Sequence, residues 1–232
     1  LRVFLERHPV ANELLENAEC HSDDVHWRKN LAYQSDILAG DGFALVGDAA
    51  AFMDPFYSPG MDWIPFTASR AADTITRQRA GEDGAMLAQK HNEDLNLCVR
   101  RWFDALYRDK YHYLGEFDLM KLAFRLDLSL YYWGVVDAVF ADEETGFLTA
   151  PFTHPAAGPV AALMRTYNRR FAAIAARRRK QGTLGRSNDR QRFLIPGFLL
   201  GRGEVRKVLP MLLSWAKLEL TDGWKSWGSQ AG

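Results

Sequence analysis

One stretch of the chain, GFALVGDAAAFMDPFYSPGMD at residues 42–62, constrains the fold more than any other. It opens with a short apolar run from Phe43 to Val46, bounded by glycines, which is typical of a strand buried on both faces of a parallel sheet. The pair Gly47-Asp48 follows that run directly. The stretch therefore predicts a unit of an α/β fold, in which ligands bind at the carboxyl ends of the strands.

A helix is predicted over residues 62–80, after a loop that contains prolines and a glycine. Asp62 suits the N-cap of this helix, and Pro65 would fall in its first turn, where a missing N–H is tolerated. Gly81 suits the position just after the last turn. The N-terminus of such a helix presents unpaired N–H groups and a partial positive charge, so it favours an anion or a developing negative charge.

The residues between the predicted strand and helix suit a ligand that carries hydroxyl groups. An ionised carboxylate at Asp48 would accept hydrogen bonds from the hydroxyls of a ribose or ribityl chain. The three residues that follow, Ala49 to Ala51, are small and would leave room for an extended ligand close to the backbone. The segment therefore predicts a binding site at the tip of the strand.

The order and spacing of these residues resemble the second FAD-binding motif of flavin-dependent monooxygenases, halogenases and geranylgeranyl-reductase-like oxidoreductases. The resemblance depends on Gly47-Asp48-Ala49-Ala50, Asp54-Pro55 and Ser58-Pro59-Gly60-Met61. It implies that FAD is the cofactor, that Asp48 binds its ribityl chain, and that the turn into the helix lies along the isoalloxazine ring. The cofactor-binding residues that it implies are Gly47, Asp48, Ala49, Pro55, Ser58, Pro59, Gly60 and Met61.

Two residues depart from the pattern of tryptophan halogenases. Tyr57 stands where that branch has a glutamate, and Pro59 stands in place of a threonine and removes an N–H donor from the turn. The departures argue against a tryptophan-type halogenase and against chloride binding at this turn. The resemblance leaves open a halogenase of non-tryptophan type, a hydroxylase and a prenyl-chain reductase, with no catalytic residue assigned.

The resemblance also implies a reaction class and partners. The expected substrate is a small organic molecule, aromatic or polyene, that reacts by reduced-flavin oxygen chemistry or hydride transfer. NAD(P)H or a flavin reductase would supply the electrons. The cofactor would perform the redox chemistry, while the protein binds and orients it.

The chain contains no Gly-x-Gly-x-x-Gly fingerprint and begins at Leu1. We interpret it as a fragment that lacks the N-terminal half of an FAD-binding domain, and we expect it to be inactive and to hold FAD weakly by itself. Residues 1–81 are predicted to be the C-terminal part of that Rossmann-like domain. Residues 82–232 are predicted to form a helical domain that covers the substrate.

Apolar spacing predicts mostly helices after residue 82, so the fold class is α/β followed by mostly α. Four helices are predicted there, over residues 84–107, 116–140, 158–180 and 205–220. Before the motif, residues 1–18 predict a helical segment interrupted near Pro9, and residues 24–38 predict short strands. The aromatic residues of the helical part are assigned mainly to its core: Tyr107, Tyr111, Tyr113, Tyr131, Tyr132 and Trp133.

Composition excludes several classes of protein. Lys and Arg total 29 and Asp and Glu total 29, so overall charge does not favour nucleic-acid binding. Two cysteines, and six histidines without ligand spacing, predict no metal site. The absence of a signal-like or membrane-length apolar run leads us to expect a cytoplasmic protein.

Basic residues concentrate in residues 165–207, notably in the run from Arg177 to Lys180. The ordinary explanation is a charged face that pairs with the acidic helices of the same chain. The alternative is a helical binding module for an anionic partner, such as a lipid surface or an acidic carrier protein, with the glycine–aspartate segment acting only as a turn.

Overall fold

Long helices carry most of the structure, as the spacing of apolar residues predicts. The computed structural model describes residues 2–19, 21, 23, 26–142, 145–190 and 208–227. The chain forms two compact units, residues 1–31 and residues 32–232. The helices are α1 (Arg2–Leu5), α2 (Pro9–Leu15), α3 (Pro59–Arg79), α4 (Gly84–Leu106), α5 (Phe117–Tyr131), α6 (Asp137–Ala141), α7 (Ala157–Lys180) and α8 (Val208–Thr221).

The first unit contains α1 and α2, and the predicted interruption near Pro9 is confirmed. Helix α1 ends at Leu5, and α2 begins at Pro9, whose fixed φ suits the first position of a helix. His8 is the N-cap of α2, and its Nδ1 accepts a hydrogen bond of 3.4 Å from the backbone N–H of Ala11. The first unit therefore begins with two short helices separated at Pro9.

The second unit opens with four two-residue strands: β1 (Tyr33–Gln34), β2 (Ala39–Gly40), β3 (Phe43–Ala44) and β4 (Ala51–Phe52). Strand β1 pairs with β4 and β2 pairs with β3, and both pairs are antiparallel. Of the short strands predicted over residues 24–38, the structure shows β1, while residues 24 and 25 lie outside the described residues.

The parallel, doubly buried strand predicted from Phe43 to Val46 is wrong. This run returns antiparallel on β2 through a two-residue turn, in which Gly42 has a φ of +75°. A turn of two residues can join only antiparallel strands, since a parallel pair needs a long crossover. Phe43 is 48% exposed and Val46 is 41% exposed, so neither face of the run is fully covered. The described residues show no parallel strand pair.

Helix α3 begins at Pro59, earlier than predicted, and its N-cap is Ser58. The assignment of Asp62 as N-cap is therefore wrong, and Asp62 lies in the first turn of the helix. Pro65 lies further inside the helix than predicted, because Pro59 already occupies the first position, where proline is favoured. The predicted end is confirmed, since α3 ends at Arg79 and Gly81 has a φ of +98°.

The core lies among the long helices. Helix α7 packs against α4 and α5, and α8 packs against α5. The predicted helices over residues 84–107 and 158–180 correspond closely to α4 and α7. Residues 205–207 of the last predicted helix lie outside the described residues, and α8 covers most of the remainder. The predicted helix over residues 116–140 consists of α5, a π-helical turn at Tyr132–Val136, and α6.

The aromatic residues divide between the core and the surface. Tyr107, Tyr113 and Tyr132 are buried, as predicted. Tyr111 is 56% exposed and Trp133 is 38% exposed, so the assignment of these two to the core is wrong. Tyr111 belongs to the 3₁₀ turn Lys110–His112, and its hydroxyl donates to Asp54.

No helix in the described part of the chain has the length and apolar character needed to cross a bilayer. The domain boundary predicted between residues 81 and 82 stays a prediction.

Candidate functional site

The turn that follows the β3 segment is tied to helix α3 by hydrogen bonds. Gly47 opens a 3₁₀ turn, Gly47–Ala49, and its φ of +54° is a conformation that glycine adopts without cost. Its backbone N–H donates to Oγ1 of Thr67 over 2.9 Å, and its carbonyl accepts from Nε1 of Trp63 over 2.8 Å. Thr67 and Trp63 are buried residues of α3, so the turn has a fixed position against that helix.

The side chain of Asp48 lies beside the first turn of α3. A Cβ atom built on Gly60 would lie 3.9 Å from Oδ1 of Asp48. Asp48 is exposed, and its carboxylate has no hydrogen-bond partner among the described residues. The structure thus brings together the two features that the sequence singled out, the carboxylate at the turn and the start of the next helix.

The three alanines after Asp48 differ in exposure. Ala49 is exposed, whereas Ala50 and Ala51 are fully buried in the core. The backbone carbonyls of Ala49 and Ala50 accept hydrogen bonds from the hydroxyl and the N–H of Ser35, over 3.0 and 2.9 Å. Packing beneath the turn takes up Ala50 and Ala51, so of the three small residues only Ala49 reaches the surface, and the room that they would leave for a ligand stays a prediction.

Residues 54–58 form a turn held by side chains on both sides. Oδ1 of Asp54 accepts from the backbone N–H of Phe56 over 2.8 Å and from the hydroxyl of Tyr111 over 2.9 Å. The hydroxyl of Tyr57 donates to Oδ2 of Asp127 over 2.9 Å. Burial and the nearby Asp127 carboxylate raise the pKa of Tyr57, so its hydroxyl stays protonated and acts as a donor.

The backbone enters α3 through two left-handed residues. Tyr57 has a φ of +69° and Ser58 a φ of +54°. Such values are uncommon for residues other than glycine and cluster at functional sites. The side chain of Ser58 caps none of the first-turn N–H groups of α3 within the part of the chain that the structure describes. Pro59 has no N–H, and the N–H of Met61 donates to the carbonyl of Ser58 over 3.1 Å, so at the first three positions of the helix only the N–H of Gly60 is left for water or a ligand among the described residues.

The predicted residues near the helix start divide between surface and interior. Met61 is 75% exposed and Gly60 is half-buried, whereas Pro59 is buried. Pro55 is exposed in the turn, and its carbonyl accepts from the N–H of Ser58 over 3.1 Å. Of the eight predicted residues, Gly47 and Pro59 are buried, and the other six are at least partly exposed.

Sequence reasoning missed a cavity of about 100 Å³ behind the turn. Asp62, Tyr57 and Asp127 contribute its polar lining, together with Tyr131. Tyr131 donates a hydrogen bond to Asp62, and burial raises the pKa of the Asp62 carboxyl above its usual value. The sequence did indicate Asp62, which directly follows Met61, but as the N-cap of the helix.

A buried lysine was also missed. Lys110 is fully buried, and its ammonium forms an ion pair with Asp127, which is 1% exposed. Burial lowers the pKa of Lys110, while the Asp127 carboxylate opposes that shift. A charged residue in an aromatic stretch, Lys110 beside Tyr111 and Tyr113, is the one signal in the sequence that could have indicated it.

Within the described residues, no group of three or more His, Cys, Asp or Glu side chains could hold a metal ion.

Three basic residues of the segment, Arg170, Arg177 and Arg178, pair with acids of the same chain. Arg170 forms an ion pair of 2.9 Å with Glu219, and Arg178 forms one of 2.9 Å with Asp118 and another with Glu116. These pairs agree with the ordinary explanation for this part of the charge run, and the anionic-partner alternative stays a prediction. Four basic residues of the segment lie outside the described residues, namely Arg192, Arg202, Arg206 and Lys207.

Sequence comparison connects part of the chain to flavin-dependent halogenases. It is 35% identical over 89 residues to a sulochrin halogenase of Aspergillus terreus, a match that covers 38% of this chain and 16% of that protein. It is 33% identical over 80 residues to a flavin-dependent halogenase of Malbranchea aurantiaca, covering 32% of this chain and 12% of the relative. It is also 32% identical over 78 residues to a tryptophan 2-halogenase of Chondromyces crocatus, covering 34% and 15%.

The matched segment spans less than a fifth of each of these relatives. No protein-family model and no solved structure matches the chain. The similarity to halogenases nevertheless agrees with the family resemblance that the glycine–aspartate turn and the helix start indicate. Over about a third of its length, the chain is therefore similar to flavin-dependent halogenases.

Proposed function

We propose that this chain provides part of the FAD-binding surface of a halogenase-like flavin-dependent oxidoreductase. One observation carries the proposal: the exposed carboxylate of Asp48, which has no partner among the described residues, lies beside the first turn of α3 at Gly60. The carboxylate offers acceptors to hydroxyls, and the positive end of α3, with the N–H of Gly60, faces a polar ring edge beside it.

The surroundings of Asp48 fit a flat cofactor. Val46, Met61 and Ile64 are exposed apolar side chains, and they flank the turn and the helix start. A Cβ on Gly47 would lie 3.2 Å from Ile64, so the glycine allows the turn to approach α3 closely. Apolar surface beside oriented polar groups is the usual composition of a small-molecule site.

In the proposed role, each part of this surface has a separate task. FAD supplies the redox chemistry when bound. The Asp48 carboxylate accepts hydrogen bonds from the ribityl hydroxyls and fixes the position of the chain. The positive end of α3 stabilises negative charge on the ring edge by about 1 kcal/mol. Gly47, Ala49, Pro55, Ser58, Pro59, Gly60 and Met61 shape the backbone along this surface.

The test is a pair of substitutions in the whole protein, with FAD added stepwise and binding followed by flavin fluorescence. Asp48→Asn keeps the shape of the side chain but removes its charge, and we expect FAD affinity to fall about tenfold. Asp41→Asn is the matched control, because Asp41 is also an exposed aspartate in a nearby turn. Equal affinity of Asp48→Asn and the unsubstituted protein would contradict the proposal.

For the reaction, we propose reduced-flavin oxygen chemistry or hydride transfer on an organic aromatic or polyene substrate, with NAD(P)H or a flavin reductase as electron source. A halogenase of non-tryptophan type and a prenyl-chain reductase are the alternatives within this class. An absorbance scan of the whole protein, with NAD(P)H and halide added in turn, discriminates them. A halide-dependent change in the flavin absorbance supports the halogenase. Reduction of a double bond of the substrate without oxygen uptake supports the reductase.

A further inference from the structure

A cluster of polar side chains is buried where the long helices meet the turn at residues 54–58. Lys110 and Asp127 form its ion pair, and Lys110 also donates to Oδ1 of Asn168 over 3.0 Å. All three residues are at most 1% exposed, and they come from the 3₁₀ turn at Lys110–His112, from α5 and from α7. We call Lys110, Asp127, Asn168, Tyr113 and Tyr167 the buried polar cluster.

The hydrogen-bonding groups of this cluster are paired with one another. Tyr167 donates to Oδ1 of Asp127 over 2.6 Å, and Tyr113 donates to Oδ1 of Asn168. The amide of Asn168 in turn donates to the carbonyl of Ala105 over 2.7 Å. A buried polar network is stable only when each polar group has a hydrogen-bond partner. When every group is paired in this way, the network holds its side chains in one rigid geometry.

Tyr57 is the link between the buried polar cluster and the turn. Its hydroxyl donates to Oδ2 of Asp127, and the ammonium of Lys110 lies 5.6 Å from the centre of its ring. Its ring also lies 4.3 Å from that of Phe56 and 5.8 Å from that of Phe124, measured between centroids. The side chain of Tyr57 is thus fixed by residues of the helical region and by its neighbour Phe56.

The backbone at Tyr57 needs such fixation. Left-handed backbone at Tyr57 and Ser58 costs about 1–3 kcal/mol per residue, and it persists only where the surroundings impose it. These two residues lead directly into Pro59, the first residue of α3. The direction of the first helical turn, and hence its position beside Asp48, depends on their conformation.

We propose that Tyr57 is a positioning residue for the surface formed by Asp48 and the start of α3, with Asp127 as its anchor. This inference rests on the proposed flavin-binding function. The hydroxyl of Tyr57 holds the left-handed turn in place, and through it the helical region determines where the first turn of α3 lies beside Asp48. Tyr57 acts through the backbone, and its side chain lies on the interior side of the turn.

The test compares FAD affinity with thermal stability in the whole protein. Tyr57→Phe removes only the hydroxyl, and we expect FAD to bind about tenfold more weakly, with a shifted visible absorbance band. Ser226→Ala is the control, because it removes a buried hydroxyl that donates to the carbonyl of Gly223 and accepts from Arg170, outside the buried polar cluster. We expect this control to lower the melting temperature and to leave FAD affinity and the absorbance band unchanged.

A second variant tests whether the hydroxyl acts through the backbone. Glycine adopts left-handed backbone without a steric penalty, so adding Ser58→Gly to Tyr57→Phe should restore most of the FAD affinity. No recovery in the double variant would overturn the positioning role. If Tyr57→Phe lowers the affinity only by destabilising the fold, adding Ser58→Gly will not restore it.

The outcomes separate this inference from the proposed function. If Asp48→Asn weakens FAD binding and Tyr57→Phe does not, the flavin site stands and the positioning role is wrong. If the whole protein binds no FAD, or Asp48→Asn has no effect, the proposed function fails and the positioning role fails with it.

Discussion

The hydroxyl of Tyr57 donates a hydrogen bond of 2.9 Å to the carboxylate of Asp127, which lies 70 positions further along the chain. Through this bond, the turn that precedes α3 is attached to an ion pair in the interior of the helical region. The surface proposed for FAD and the core of the helices are therefore mechanically connected, although separate parts of the sequence form them.

The ion pair itself predicts a large effect on stability. Lys110→Met leaves the Asp127 carboxylate buried without its cation, and we expect a loss of about 3–5 kcal/mol in the free energy of unfolding. Lys90→Met is the control, because Lys90 is 69% exposed and its pair with Asp94 is 3.4 Å long. Such a surface pair contributes about 1 kcal/mol or less. Urea denaturation measures both, and similar losses in the two variants would contradict the burial argument.

Two glycines with positive φ allow conformation and packing to be separated. Gly42→Ala places a methyl group in open space at a φ of +75°, so its cost is only conformational, about 1–2 kcal/mol. Gly47→Ala has a similar conformational cost at a φ of +54°, and its methyl group also lies 3.2 Å from Ile64. We expect the larger destabilisation for Gly47→Ala in thermal denaturation. The reverse order would show that the turn is not packed against α3.

Gly134 lies in the π-helical turn after α5, directly beneath the ring of Phe152. A methyl group on Gly134 would overlap that ring, which is fully buried and cannot move away. We expect Gly134→Ala to destabilise the protein by about 1–3 kcal/mol or more. Gly115→Ala is the control, since no atom lies within 4 Å of its added methyl group. Calorimetry should show a lower melting temperature for Gly134→Ala only.

The buried imidazole of His91 predicts a pH dependence of stability. Burial, reinforced by the nearby Arg70 cation, lowers the pKa of His91 from 6.5 to about 4. The unfolded chain therefore takes up a proton below about pH 6.5, while the folded protein remains unprotonated until about pH 4. The stability associated with the neutral ring is fully present above pH 6.5 and is lost as the pH falls towards 4, on the order of 3 kcal/mol in total.

Urea denaturation at a series of pH values measures this loss, and His91→Phe should flatten the profile between pH 6.5 and 4. His112→Gln is the matched control, because His112 is an exposed histidine of the same unit. A profile that keeps its slope in His91→Phe would show that other groups cause the acid sensitivity.

The helices could be predicted from the sequence because their signals are local. Apolar spacing placed α4 and α7 within a few residues, and Gly81 marked the end of α3. The strand pairing could not be predicted from the apolar run at Phe43, since the partner of a strand depends on how the chain turns. The run looked like a doubly buried strand, but the turn at Gly42 returned it antiparallel at the surface.

For the candidate site, the sequence alone determined the order of chemical groups, a carboxylate at Asp48 followed by a glycine-containing start of a helix. Only the tertiary structure decided that Ala50 and Ala51 are buried, and that Tyr57 contacts an ion pair in the interior. The physical reason is the range of the interactions. Helix propensity and turn chemistry act between neighbouring residues, whereas burial and buried hydrogen bonds join residues that only folding brings together.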